Sequence, residues 1–367
     1  MRRRRLMIAT LLALGMAGAG CGGTDADRST GGDGDSGADS DSFAGRLALL
    51  PDSLLRGDDP VLITVADLEA AAKAAGVTAP ADVSDPAAVT AYVNAVTGTT
   101  GQGGPPPTVA APLPDRVVPG GVTQAQEFEA ELGWSVVDLR WFVEYPTTPA
   151  TLTVAGGTFT EQRLTEAMGD PDNGRWRVGE GEDLSMNLRD RSAARPTGQP
   201  LTVALDSDRL FVSPTAEHVQ AALGSGGTLA DLPELRTLAE AMDKQGAYAA
   251  MLYARGPFEA GPGPGDAPTL RPFDGVATGL VHDGEPFLVL AYAHGDAGAA
   301  EANATALRTL LTEGRSLRGQ PWSELLTVAD ITTDGTTVVA RLGLGSAGPQ
   351  IAWQLLQTRD NLIQHGG

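Results

Sequence analysis

Gly343-Leu344-Gly345-Ser346-Ala347-Gly348 has the G-x-G-x-x-G spacing with which a backbone can approach a pyrophosphate, and it falls between a predicted strand and a predicted helix. A dinucleotide fold then needs a crossover, a further strand and a ribose-binding acid. The nineteen residues after Gly348 are too few for these, so a structural turn is expected. Metal chemistry would have to use His218, His282, His294 or His365, because Cys21 is the sole cysteine. His282 and His294 sit at opposite ends of one predicted hairpin, roughly 30 Å apart at ~3.3 Å per residue, and cannot share an ion. His218 is followed by Val219-Gln220-Ala221-Ala222, which is not H-E-x-x-H. The serine chemistry of S-x-x-K is excluded by Ala70 and Ala241, three residues before Lys73 and Lys244, and no G-x-S-x-G elbow occurs. Glu180, Glu182 and Asp183 near Trp176 are the most suggestive set for glycoside hydrolysis by paired carboxylates; a solvated loop is the reading adopted. No nucleophile, metal set or cofactor loop emerges, and the expectation is a non-enzymatic chain without a cofactor.

The clearest chemistry belongs to Cys21. Arg2 to Arg5 precede an uncharged run from Leu6 to Ala19, too short for a membrane-spanning helix of about 20 residues but suited to an export leader. Gly18-Ala19-Gly20-Cys21 resembles the processing site of bacterial lipoprotein precursors, and the resemblance implies lipidation of Cys21 after removal of residues 1–20. Ala17-Gly18-Ala19 could instead serve as an ordinary A-x-A cleavage site, and the arginine run leaves general and twin-arginine export both open. Gly22 to Asp41 is almost wholly Gly, Ser, Thr, Ala and Asp with no bulky apolar group, so residues 21–45 are expected to form an acidic disordered tether.

Composition narrows the partners. The chain has 26 Lys+Arg against 46 Asp+Glu, a formal net charge of −20, and only two of those cations are lysines, Lys73 and Lys244. Nucleic acid is excluded as a partner of such a surface. A single cysteine also excludes internal disulfides, so packing must supply the stability.

Periodicity places the elements. Val61 to Val65 reads as a strand, Asp67 as the cap of an alanine-rich helix ending at Gly76, and Asp85-Pro86 as the start of a helix burying Val89, Tyr92, Val93 and Val96. Residues 97–121 are a Gly/Pro-rich loop. Thr123 with Gln126, and Thr158 with Glu161, have capping-box spacing. Between them, Val137, Leu139, Trp141, Val143 and Tyr145 alternate with Asp138, Arg140 and Glu144 as one half-buried strand from Val136 to Tyr145. Later strands are joined at Asp206-Ser207-Asp208, Asp283-Gly284 and Asp334-Gly335, and each hairpin is followed by a helical pattern. This predicts an α+β fold: antiparallel sheets of hairpin-plus-helix units, internally duplicated, with helices on one face. Domain boundaries are expected at 46–255 for a first lobe, 256–272 for a Gly/Pro-rich linker and 273–367 for a second lobe.

Leu50-Pro51-Asp52, Val137-Asp138-Leu139 and Thr228 to Pro233 are similar to segments of uncharacterised bacterial envelope proteins, a resemblance that implies location but no activity. The resulting expectation is a lipid-anchored protein on the outer face of the cell membrane, attached through its N-terminal lipid and binding or scaffolding an unidentified protein or small ligand. The alternatives are an exported hydrolase with paired carboxylates and a transport-associated solute-binding lipoprotein.

Overall fold

Capping chemistry sets the element boundaries in a computed structural model that describes residues 40–99, 106–115, 123–147, 150–258, 269–358 and 360–363. The Ser42 side chain accepts the Gly45 N–H and opens α1 (Phe43–Leu47). β1 (Val61–Asp67) ends in the carboxylate that accepts the Ala70 N–H and starts α2 (Leu68–Ala74). Asp85 caps α3 (Pro86–Thr97), with proline in its first turn and left-handed Gly98 at its end. α4 (Ala125–Leu132) stops at Gly133, and a 3₁₀ turn over Val136–Asp138 feeds β2 (Leu139–Tyr145).

After β3 (Leu152–Gly157) come α5 (Glu161–Met168) and the short β4 (Arg175–Val178). The hairpin of β5 (Leu201–Asp206) and β6 (Arg209–Ser213) leads through α6 (Ala216–Ala222) and α7 (Pro233–Gln245) to β7 (Ala249–Phe258). β8 (Phe273–Asp283) and β9 (Glu285–Ala293) turn at Gly284, φ 74°. α8 (Ala297–Glu313) and α9 (Trp322–Leu325) precede β10 (Leu326–Asp334) and β11 (Thr337–Leu344), and α10 (Ile351–Thr358) follows them.

All eleven strands join one antiparallel sheet in the order β10-β11-β9-β8-β7-β1-β2-β3-β6-β5-β4. From the central β1–β7 pair the sheet runs outward as β1-β2-β3-β6-β5-β4 on one side and β7-β8-β9-β11-β10 on the other. In both directions the sheet takes two single steps and then reaches the far strand of the next hairpin before stepping back, skipping two strands to β6 on one side and one strand to β11 on the other. β7 pairs with β8 across the Gly/Pro-rich stretch, so residues 46–255 and 273–367 contribute to one sheet, within a compact unit spanning 38–367.

Helices cover both faces of that sheet, not one. Leu288, Leu290 and Tyr292 of β9 pack into a core with α3, α4, α5, α8 and α10, whereas Val289, Ala291 and Ala293 pack into a second core with α1, α6 and α7. Period-two alternation therefore buries both sides of the strand. The tether also ends sooner than 45: Phe43 belongs to α1 and is buried, as is Arg46, whose guanidinium donates to Asp67 and lies 5.1 Å from the Trp141 ring centroid. The earlier part of the tether, residues 21–39, lies outside the described residues.

The strand expected from Val136 to Tyr145 breaks into a turn and a bulged strand. Its pairing with β3 slips between Leu139 and Trp141. Consequently Leu139 packs in the first core, with Val137 against it, while Trp141, Val143 and Tyr145 pack in the second. Trp141 lies across Gly156, where any Cβ would overlap its indole. Neither capping box forms. Gln126 donates to Val83 O and Ser84 O, and Thr158 donates to Asp138, leaving Thr160 to cap α5.

Candidate ligand pocket

The bulge that turns Leu139 inward also helps to shape a cavity of about 440 Å³, between α2, the face of α3 that carries Tyr92, and the start of β2. Small side chains on and after α2 leave the space: Ala72 and Ala79 line it together with Val77 and Leu139. Its size is that of a small-molecule site.

Besides the hydroxyls of Thr78 and Thr158, three further hydrogen-bond donors line it. Lys73 lies on the exposed side of α2, one turn after Glu69, and Arg140 is exposed at the bulge. Neither forms an ion pair or a hydrogen bond among the described residues. Tyr92 is 5 % exposed, yet its hydroxyl is likewise without a partner among them. Burial, and secondarily the Glu69 charge, raises the Tyr92 pKa, so the hydroxyl remains a neutral donor at pH 7. The oxygen is not among the fully buried unpartnered side-chain atoms, so it opens onto the cavity.

The wall behind these donors is rigid. Asp138 Oδ2 accepts the Ser135 N–H at 2.8 Å, and its Oδ1 accepts from Thr158 Oγ1 at 3.1 Å and Arg163 Nη1 at 2.8 Å. Arg163 also donates to Glu129 at 2.6 Å. The hydrogen bond to Asp138 is the leading cause of a raised Arg163 pKa, so the cation is permanent. Asp138 borders the cavity, but its charge is already matched by Arg163.

The residues singled out from sequence sit elsewhere. Trp176 is buried and donates its indole N–H to Gly169 O at 3.0 Å, which removes it as a sugar platform. Asp183 accepts from Arg177 at 2.7 Å and from the Ala216 N–H at 2.8 Å, and so anchors a loop to α6. Glu180 and Glu182 are on that loop, and Glu182 is exposed. In the 343–348 turn, the Gly345 and Ala347 N–H groups donate to Leu325 O and that of Ser346 to Glu324 O, so these amides are spent inside the fold. Cys21 and His365 lie outside the described residues.

His294 borders a second hollow, of about 350 Å³, with Glu234, Arg255 and Asp274. Its Nδ1 faces Thr336 O at 3.1 Å and its Nε2 faces the Asn303 amide nitrogen at 2.8 Å. A carbonyl only accepts, so the proton is on Nδ1 and Nε2 accepts from Asn303. Neither ring nitrogen is left for a metal or a substrate. Arg255 is engaged as well, by Asp58 at 3.6 Å and by Asp59 O at 3.2 Å. A third hollow, about 150 Å³ beside α10, contains Asp360, whose pKa burial raises and whose carboxylate accepts the Leu317 and Asn361 N–H groups. Among the described residues no group of three or more His, Cys, Asp or Glu side chains could hold a metal ion.

Sequence reasoning placed Tyr92 in the core, Lys73 in a failed serine motif and Arg140 on a wet strand face. The available signal was composition: a rare lysine in a run of alanines opposite a tyrosine means charge, empty volume and a polar tip together. No family model, characterised protein or solved structure matches the chain.

Proposed function

We propose that this chain is an exported protein lipidated at Cys21, held at the outer face of the cell membrane, whose folded part binds a small ligand in the α2–α3–β2 cavity without transforming it. The single observation carrying the binding role is the convergence of Lys73, Arg140 and the Tyr92 hydroxyl, none with a protein partner among the described residues, on one 440 Å³ cavity. Donors without an adjacent nucleophile and base favour holding a ligand over hydrolysing one. The solute-receptor alternative is disfavoured by a single antiparallel sheet in place of two parallel-stranded lobes. Internal duplication belongs to the same reading: it is supported by the similar strand orders outward from β1 and β7, which differ by the additional β4, and by the helices α5, α6, α8 and α10 that follow the hairpins.

Two measurements test this. Cys21→Ala should move the protein out of the membrane fraction or leave it unprocessed, and unchanged membrane association would remove the lipid anchor from the reading. Native mass spectrometry of the protein released from membranes should show a small non-covalent mass that is lost when Ala79→Phe fills the cavity. The same mass on both proteins would place the ligand elsewhere, and hydrolysis of peptidoglycan or esters abolished by one carboxylate or serine change would make the chain an enzyme.

A further inference from the structure

The 440 Å³ cavity concentrates donors in a strongly acidic chain. Of 26 Lys+Arg in a protein of net charge −20, two that form no ion pair among the described residues line the same cavity as a tyrosine hydroxyl unpartnered among them. A cationic ligand would meet Lys73 and Arg140 as like charges, whereas an anion would give all three donors an acceptor and form charge-assisted hydrogen bonds. Beside Thr78, Thr158, Glu69 and Asp138, the wall has an apolar part made by Ala72, Val77, Ala79, Val137 and Leu139, which calls for an apolar body attached to that anion.

We propose that the cavity recognises a singly charged amphiphilic anion, with an apolar chain or ring against Ala72, Ala79 and Leu139 and an acidic head held by Lys73, Arg140 and Tyr92. This rests on reading the cavity as a binding site. Glu69 supplies the charge limit: it lies one helical turn before Lys73 and lines the same cavity, so a second negative charge on the head would face repulsion. Asp138 adds less repulsion, because it is paired with Arg163, a cation it shares with Glu129. Tyr92 is largely buried as a residue and its hydroxyl opens onto the cavity, so it meets a head group that enters there.

The test uses the lipidated full chain in nanodiscs of neutral phosphatidylcholine and isothermal titration calorimetry with three probes of similar shape: 4-phenylbutyrate, 4-phenylbutylamine and the dianion (2-phenylethyl)malonate, which is 4-phenylbutyrate with a second carboxylate on its α-carbon. The expected order is monoanion tightest, dianion weaker and amine not bound. The double variant Lys73→Gln/Arg140→Gln, altered only at exposed positions, should retain its thermal midpoint and lose about tenfold or more in 4-phenylbutyrate affinity, the loss of at least one charge-assisted contact of ~1.5 kcal/mol. Tyr92→Phe should weaken the same probe several-fold while leaving the amine unbound. Equal affinity of wild type and the double variant for 4-phenylbutyrate, or tighter binding of the amine, would overturn the proposal. If Ala79→Phe abolishes a co-purifying mass while 4-phenylbutyrate does not bind wild type, only the ligand class falls; if Ala79→Phe removes nothing, the site itself falls. Discs containing phosphatidylglycerol separate the two sources of such an anion: competition with the probe assigns a lipid head group, and undiminished probe binding assigns a free acid.

Discussion

At the start of β2 and the end of β3, charges join the strands to the following helix: Asp138, Thr158 and Arg163 of α5, with Glu129 behind them. At the start of β8 and the end of β9, the matching position in the strand order, the joint is neutral: His294, Asn303 of α8 and the backbone of Arg271. Asn303 accepts the Arg271 N–H and donates to both Arg271 O and His294 Nε2, and His294 Nδ1 donates to Thr336 O. The neutral joint spends its donors and acceptors and has nothing left for a ligand. The charged joint satisfies Asp138 from within and leaves Lys73, Arg140 and Tyr92 beside it with none of their donors used among the described residues. What separates them is the chain between the first two strands of each half: α2, α3 and α4 follow β1, and their small side chains hold a cavity open next to the ionic joint.

The most disruptive change should be Leu139→Asp, which places a carboxylate in the apolar core beside the charged joint and should cost about 3–5 kcal/mol by urea denaturation. Arg140→Asp, one residue away and exposed, should cost well under ~1 kcal/mol. Similar midpoints for the two would mean that the bulge does not sort these neighbours as described. Arg163→Met comes next. It strands the Asp138 carboxylate, and about 2–3 kcal/mol is expected because Arg163 is partly solvated and Ser135 still donates.

At the neutral joint, His294→Leu leaves an Asn303 N–H unpaired, while Thr336 O keeps the backbone N–H of residue 294, and the change should cost about 1–3 kcal/mol at pH 7. Acid separates the joints further. Burial lowers the His294 pKa, so the unfolded chain takes up a proton at higher pH than the folded one. The contribution of His294 is therefore fully present above the unfolded value of about 6.5 and declines as pH falls from there toward the folded value. His218 is shifted in the same direction, also by burial, so the informative quantity is the difference between wild type and His294→Leu from pH 7 to 5. That difference should shrink with acid; a constant one would show that the ring is not held neutral.

Local structure was largely legible in the sequence. Asp85-Pro86 started a helix where expected, and Asp283-Gly284 and Asp334-Gly335 turned hairpins, because caps and turns depend on a few adjacent residues. Coverage of both sheet faces was not, although Phe287 to Ala293 is a continuous apolar run of the kind that doubly buried strands show. Arg175 to Val178 was too short and too charged to stand out as β4. The bulge at Leu139 was hidden because alternation continues on either side of it, and only pairing with Gly156 and Gly157 reveals the slip. The pocket was illegible for a related reason: Tyr92 has the spacing of a core residue, and volume left by alanines on another helix leaves no mark in linear sequence.

Hydrogen exchange of the full chain in neutral nanodiscs, with and without saturating 4-phenylbutyrate, puts the contrast between the two joints to a direct test. Slower exchange is expected in peptides covering 68–79, 86–97 and 137–140, with no change across 269–304. Slowing around His294 and Asn303, or uniform rates with the probe demonstrably bound, would contradict the assignment of ligand binding to the charged joint.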